Sequence, residues 1–141
     1  MELLKQYLDI SVFGILGIMS FLMIAYVIER IVFFARVEVD EYTDIHTLRV
    51  ALSRHLTTIG SIASNAPYIG LLGTVFGILI TFHDLSQEGT GLSASAIMLG
   101  LALALKATAA GLAVAVPATL AYNGLVRKVD VLVARWSSRQ E

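Results

Sequence analysis

Two threonines and one lysine stand out among the polar side chains set inside long apolar runs of this sequence. Thr74 lies within Gly70-Leu71-Leu72-Gly73-Thr74-Val75-Phe76-Gly77, and Thr108 within Ala104-Leu105-Lys106-Ala107-Thr108-Ala109-Ala110-Gly111. A hydroxyl both donates and accepts, so it can hold a water chain or bond a carboxyl group in either protonation state. Lys106 is the one formal charge within those runs. An ammonium at the centre of a bilayer costs at least about 2.5 kcal/mol on insertion scales, so it must face protein, face a water-filled cavity or snorkel outward. At about 100° per residue it lies about 160° around a helix from Thr108, off the threonine's face. It either pairs with a carboxylate at a subunit boundary or lumen edge, or is a structural lysine that snorkels.

The other candidate chemistries lack their parts. His46, His55 and His83 are far apart and match no metal-ligand spacing; the first two read as solvated. There is no cysteine, so no thiolate ligand, nucleophile or disulfide. No His, Ser and carboxylate set converges, which speaks against an enzyme, and no cofactor or metal is expected. Glu29 and Arg30 read as markers of a membrane interface. With a net charge of -1 and no basic cluster, nucleic acid is not an expected partner.

The elements that hold these residues are set by hydropathy. Of the 141 residues 57% are hydrophobic and 15% charged, against roughly 25% charged in a soluble domain, and the polar residues come in blocks between apolar runs. A spanning helix needs about 20 apolar residues. Three segments meet this, giving an all-α domain over residues 1–141 with spans at about 10–28, 62–82 and 92–124, a loop at about 29–61 and a tail at about 125–141. The first run is read as a retained helix, because it is stopped by Glu29 and Arg30 with no small-residue cleavage motif before them. The third run, from Gly91 to Val126, would reach roughly 54 Å against a hydrocarbon core near 30 Å, so part of it must protrude, tilt or break. Pro67 and Pro117 are the expected kinks.

Basic residues set the orientation. Arg30, Arg36, Arg49 and Arg54 follow the first span and Arg127, Lys128, Arg135 and Arg139 follow the third, whereas the stretch from His83 to Ser93 has none. The first loop and the tail are therefore cytoplasmic and the N-terminus is outside. In the first loop, Ile45, Leu48, Leu52, Leu56 and Ile59 recur at helical spacing. They predict one amphipathic helix from near Thr43 into the second span, packed on the tail around Val129, Leu132 and Trp136.

Small residues stripe both later spans. Gly70, Gly73 and Gly77 lie three and four apart, as do Gly100, Ala104, Thr108, Gly111, Ala115 and Thr119. In lipid such stripes are helix-packing surfaces, and a hydroxylated stripe can also border a polar path. For the second stripe both readings remain open.

The strings around Thr74 and Thr108, the second continuing through Val116-Pro117-Ala118-Thr119 to Asn123, resemble the signatures of the MotA/TolQ/ExbB proton-channel family. The motif-level similarity runs from about Ser61 to Lys128, and the three-span topology agrees throughout. The resemblance implies a homo-oligomeric ring, a pentamer, in the inner membrane of a bacterium. It implies an enclosed single-span partner of the ExbD kind whose membrane carboxylate carries protons, and work passed to a TonB-like protein. It also implies that Thr74 and Thr108 face the pore. Within the family a TolQ-like envelope role is the alternative, and outside it a non-conducting membrane scaffold. One position departs: longer family members have a glutamate five residues before the threonine matching Thr108, where this chain has Leu103. Neither of the two pore helices then carries an acidic residue.

Overall fold

The computed structural model describes residues 2–88, 91 and 93–141. Residues 89, 90 and 92, which include the expected start of the third span, lie outside the described residues. Among the described residues four α-helices follow one another: α1 (Glu2–Arg36), α2 (Ile45–Leu52), α3 (Leu56–Glu88) and α4 (Ala94–Gln140), with a 3-10 turn at Val39–Glu41 between the first two. Helices α1, α3 and α4 are each long and apolar enough to cross a membrane. The helix is the form that satisfies every backbone polar group internally where no water can.

The outside of the bundle is as apolar as its inside. Phe21, Leu99 and Leu120 are all more than 60% exposed. In water such a surface would drive aggregation; in lipid it costs nothing. Together with the family relationship established below, this makes the chain a multi-pass membrane protein.

α3 and α4 form the most intimate pair, and α1 packs against both. In the spanning region a small core joins Val12 and Leu16 of α1 to Ala66 of α3 and to Ala107 and Ala115 of α4. A larger core lies beyond it, where Leu48, Leu52, Leu56 and Ile59 meet Leu125 and Leu132, with Val129 and Trp136 packed at its edge. Trp136 Nε1 donates to the Tyr42 carbonyl at 2.8 Å, tying the loop to the tail.

α4 has 47 residues and runs unbroken, so at 1.5 Å per residue it is about 70 Å long, and its last third, past the expected span end near residue 124, extends beyond the spanning region. Ser93 caps it by accepting from the Ala96 amide. Both Pro67 and Pro117 lie inside helices that continue through them. Each proline leaves the carbonyl four residues before it, on Ala63 and Ala113, without an intrahelical donor.

The single amphipathic helix expected from Thr43 onward is in fact two. α2 starts at Ile45, capped by Asp44, and ends at Leu52; Ser53, Arg54 and His55 turn the chain before α3, with His55 at φ 68°. The cause lies on α1. Arg30, 1% exposed, donates through Nη1 to the carbonyls of Ala51 at 2.7 Å and Leu52 at 3.1 Å, taking acceptors that a continuing helix would use. Its other nitrogens bond Glu29, and its guanidinium lies 4.3 Å from the Phe33 ring centre. Arg30, expected at a membrane interface, is buried and caps the end of α2. His55, expected to be solvated, stacks on Tyr26 with ring centres 4.3 Å apart.

Candidate functional site

The seam between α3 and α4 is built from residues too small to keep two backbones apart. A methyl placed on Gly70 would stand 2.5 Å from the Ala107 carbonyl oxygen, and one on Gly111 would stand 2.6 Å from the Ala66 carbonyl oxygen. The same holds at lower severity for Gly73 against the Ala107 methyl, Gly77 against the Ala104 methyl and Gly100 against the Thr81 side chain, each at 2.8 Å. The two stripes thus face each other within one chain. Backbone-to-backbone approach of this kind replaces the hydrophobic drive that is absent in lipid.

This closeness brings two hydroxyls together across 34 positions of sequence. Thr74 Oγ1 and Thr108 Oγ1 are hydrogen-bonded, and Thr74 Oγ1 also donates to the Ala104 carbonyl at 2.9 Å. Thr74 has one hydroxyl proton, so with that proton on Ala104 it accepts from Thr108. A weaker contact at 3.3 Å joins Thr74 to the Gly70 carbonyl in its own helix, the partner an isolated threonine would choose. Thr74 is 7% exposed, enclosed by the seam, whereas Thr108 keeps an open flank. Thr119 returns to its own helix, donating to the Ala115 carbonyl.

Lys106 and Leu103 stand elsewhere on α4. Both are exposed, and Lys106 has no carboxylate within ion-pair distance among the described residues. Relative to Ala104 on the seam, it is turned by about 200°, so it projects away from the chain's own interior. Another group of charges was not anticipated as a set. Glu2, Lys5 and Asp9 repeat at three and four along α1, in register with Val12 and Leu16 on the face turned toward α3 and α4. Lys5 Nζ pairs with Asp84 at 3.7 Å across to α3. The heptad-like register of 2, 5, 9, 12 and 16 was the available signal.

A family model described as the MotA/TolQ/ExbB proton channel family matches residues 35–138. The chain belongs to the MotA/TolQ/ExbB family. Among its relatives, a "Biopolymer transport protein ExbB" of Helicobacter pylori strain J99 is 53% identical over 94% of this chain and 90% of its own length. A protein of the same name from Aquifex aeolicus is 45% identical over 98% of this chain and 93% of its own length. A "Tol-Pal system protein TolQ" of Pseudomonas aeruginosa is 38% identical over 63% of this chain and 41% of its own length. Within this MotA/TolQ/ExbB chain, the matched stretch holds all of the α3–α4 seam and both threonines, while the charged start of α1 lies before it.

Proposed function

We propose that this chain is the proton-conducting subunit of a bacterial inner-membrane energiser, assembled as a homo-oligomeric ring around single-span partner helices of the ExbD kind. The flux moves the partner, and the work passes to a TonB-like protein and on to active transport across the outer membrane. The family resemblance implies five copies. The distribution of Lys and Arg supports an orientation with the N-terminus outside and the C-terminus in the cytoplasm.

The observation that carries this reading is the hydroxyl pair at the centre of the family's two signature strings. In it Thr108 remains open on one flank while Thr74 orients it from within the seam. With its proton directed to Thr74, Thr108 offers a lone pair outward to water or to a protonated carboxyl group on the partner. When the partner group is ionised, the hydroxyl can turn and donate. Such a residue passes a proton without keeping it, so the titrating carboxylate belongs on the partner and this chain alone conducts poorly.

Lys106 projects from the opposite side of α4 and is proposed to meet a carboxylate across a subunit boundary, since an unpaired ammonium at that depth is costly. The relatives covered over nine-tenths of their length bear the ExbB name, and the TolQ relative is covered over less than half. This favours the TonB-system role over an envelope-constriction role.

The test is proton uptake by liposomes holding the complex of this chain with its single-span partner. Thr108→Val should lower the flux while the ring, followed by size and mass, stays intact. Equal flux in that variant counts against the reading, and full transport activity with conduction blocked would instead mark a scaffold.

A further inference from the structure

The face of α1 that packs into the bundle begins with charge. Glu2, Lys5 and Asp9 precede Val12 and Leu16 along one side of the helix, and they border a crevice between α1, α3 and α4. Its wide part, about 330 Å³, is lined by Glu2 and Lys5 of α1, Thr81 and Asp84 of α3, and Gly100 and Leu103 of α4 among others. It continues into a narrow part of about 40 Å³, lined by Asp9, Gly73, Leu103 and Ala107 among others. Lys5, Gly100 and Leu103 line both parts, so the two are continuous. A space of 40 Å³ admits a water or two, provided polar partners are present, and the Asp9 carboxylate and Lys5 ammonium are such partners.

Depth makes this crevice unusual. Lys5 pairs with Asp84, just past the apolar end of the second span at Phe82, and Asp9 lies about 6 Å further along α1 at 1.5 Å per residue. The crevice ends at Gly73 and Ala107, the residues directly before Thr74 and Thr108. Asp9 directly precedes the apolar run that starts at Ile10 and is itself exposed, so water reaches its carboxylate from the outer side while the narrow space it lines leads inward. Of the charged side chains that line the crevice, Lys5 shares the narrow part with Asp9, while Glu2 of α1 and Asp84 of α3, with His83 beside it, stand at the wide part. The lining residues of α4 bring no charge.

We infer that this crevice is a hydrated entry path within each subunit, and that Asp9 is its proton-carrying carboxylate. The inference rests on the proton-conducting reading above. Asp9 of α1 and Leu103 of α4 line the same narrow space, so α1 supplies the acid that α4 lacks at position 103. The carboxylate takes a proton from crevice water on the outer side. As the neutral acid it passes that proton to water beside Gly73 and Ala107, and returns to its ionised form. Lys5, held by Asp84, keeps the path from closing on Asp9 as a tight ion pair.

Liposomes bearing the full complex decide the matter by three measurements. Asp9→Asn should lose most of the proton flux, and Asp9→Asn combined with Leu103→Glu should recover a substantial part of it, because a carboxylate is restored to the same space. The chain has no cysteine, so Asp9→Cys can be labelled alone. A charged, membrane-impermeant thiol reagent added outside should modify it. If the parent complex conducts and Thr108→Val slows it while Asp9→Asn conducts normally, the crevice is not the path and the proton-conducting reading stands. If the parent complex does not conduct, that reading fails, and labelling alone judges the crevice. An unreactive Asp9→Cys means a dry crevice and overturns the inference, including where Asp9→Asn does not assemble.

Discussion

Thr74 Oγ1 is hydrogen-bonded to Thr108 Oγ1 and donates to the Ala104 carbonyl one turn back on α4, and with its single proton there it can only accept from Thr108. Two helices are thereby joined by hydrogen bonds about one turn from their closest backbone approach, at Gly70 and Gly111. Because Thr74 is enclosed and Thr108 is not, the pair has an inner and an outer member with different expected phenotypes. Thr108→Val should act on proton flux. Thr74→Val should in addition weaken the α3–α4 seam, by about 1 kcal/mol for the lost hydrogen bond. Thermal melting of the purified complex separates the two, with the larger fall in Tm for Thr74→Val.

Gly111→Ala should damage the seam more than either threonine change. Its new methyl would meet the Ala66 carbonyl oxygen at 2.6 Å and the Gly70 Cα at 3.0 Å, both backbone atoms that cannot swing away. Forcing α3 and α4 apart costs about 1–3 kcal/mol by analogy with overpacked cores. The measurable outcome is a lower yield of assembled ring and a lower Tm. Gly124→Ala, where a methyl meets nothing within 4 Å, should be without effect.

Arg30→Met should loosen the turn between α2 and α3. The substitution leaves the Ala51 and Leu52 carbonyls without the guanidinium that holds them, a loss on the order of 2 kcal/mol for hydrogen bonds from a charged group. Arg54 sits exposed in that turn, so faster tryptic cleavage after Arg54 is the readout. Arg30→Lys should rescue only in part, since an ammonium lacks the fork that reaches Glu29 and both carbonyls together.

Asp40 and Arg139 join the first loop to the end of α4. The hydrogen bond from Arg139 holds the Asp40 carboxyl below its ordinary value. A carboxyl whose folded value is depressed adds stability above its unfolded value, and that contribution disappears as pH falls through the folded one. Docking of the tail should therefore weaken below about pH 4, the ordinary aspartate range. Trp136, the single tryptophan, reports it through the bond to Tyr42. Both partners are exposed, so the fluorescence change should be small, and Asp40→Asn should remove it.

Lys106→Met should change ring assembly or flux if the lysine meets a carboxylate across a subunit boundary. Comparing ring yield and proton uptake of the variant with those of the parent measures this directly. An unchanged protein would mean that the ammonium reaches the interface by itself.

The all-α class and three apolar helices were legible because hydropathy is a local property: a run of about 20 apolar residues is its own evidence. The amphipathic register of Leu48, Leu52, Leu56 and Ile59 was equally local, and all four are buried. The break between Leu52 and Leu56 was not legible. Nothing in that stretch forbids a helix, and the group that ends it, Arg30, comes from another element.

By itself, then, the sequence determined which segments favour lipid, which residues are small enough for close helix contact and which hydroxyls lie within them, since composition and spacing carry all of that. Tertiary structure alone decided that the two stripes meet inside one chain, that Thr74 is enclosed while Thr108 stays open, and that Asp9 shares a crevice with Leu103. The physical reason is that a helix presents many possible faces, and the choice among them is made by backbone approach and hydrogen bonding between segments distant along the chain. Spacing within one segment does not record that choice.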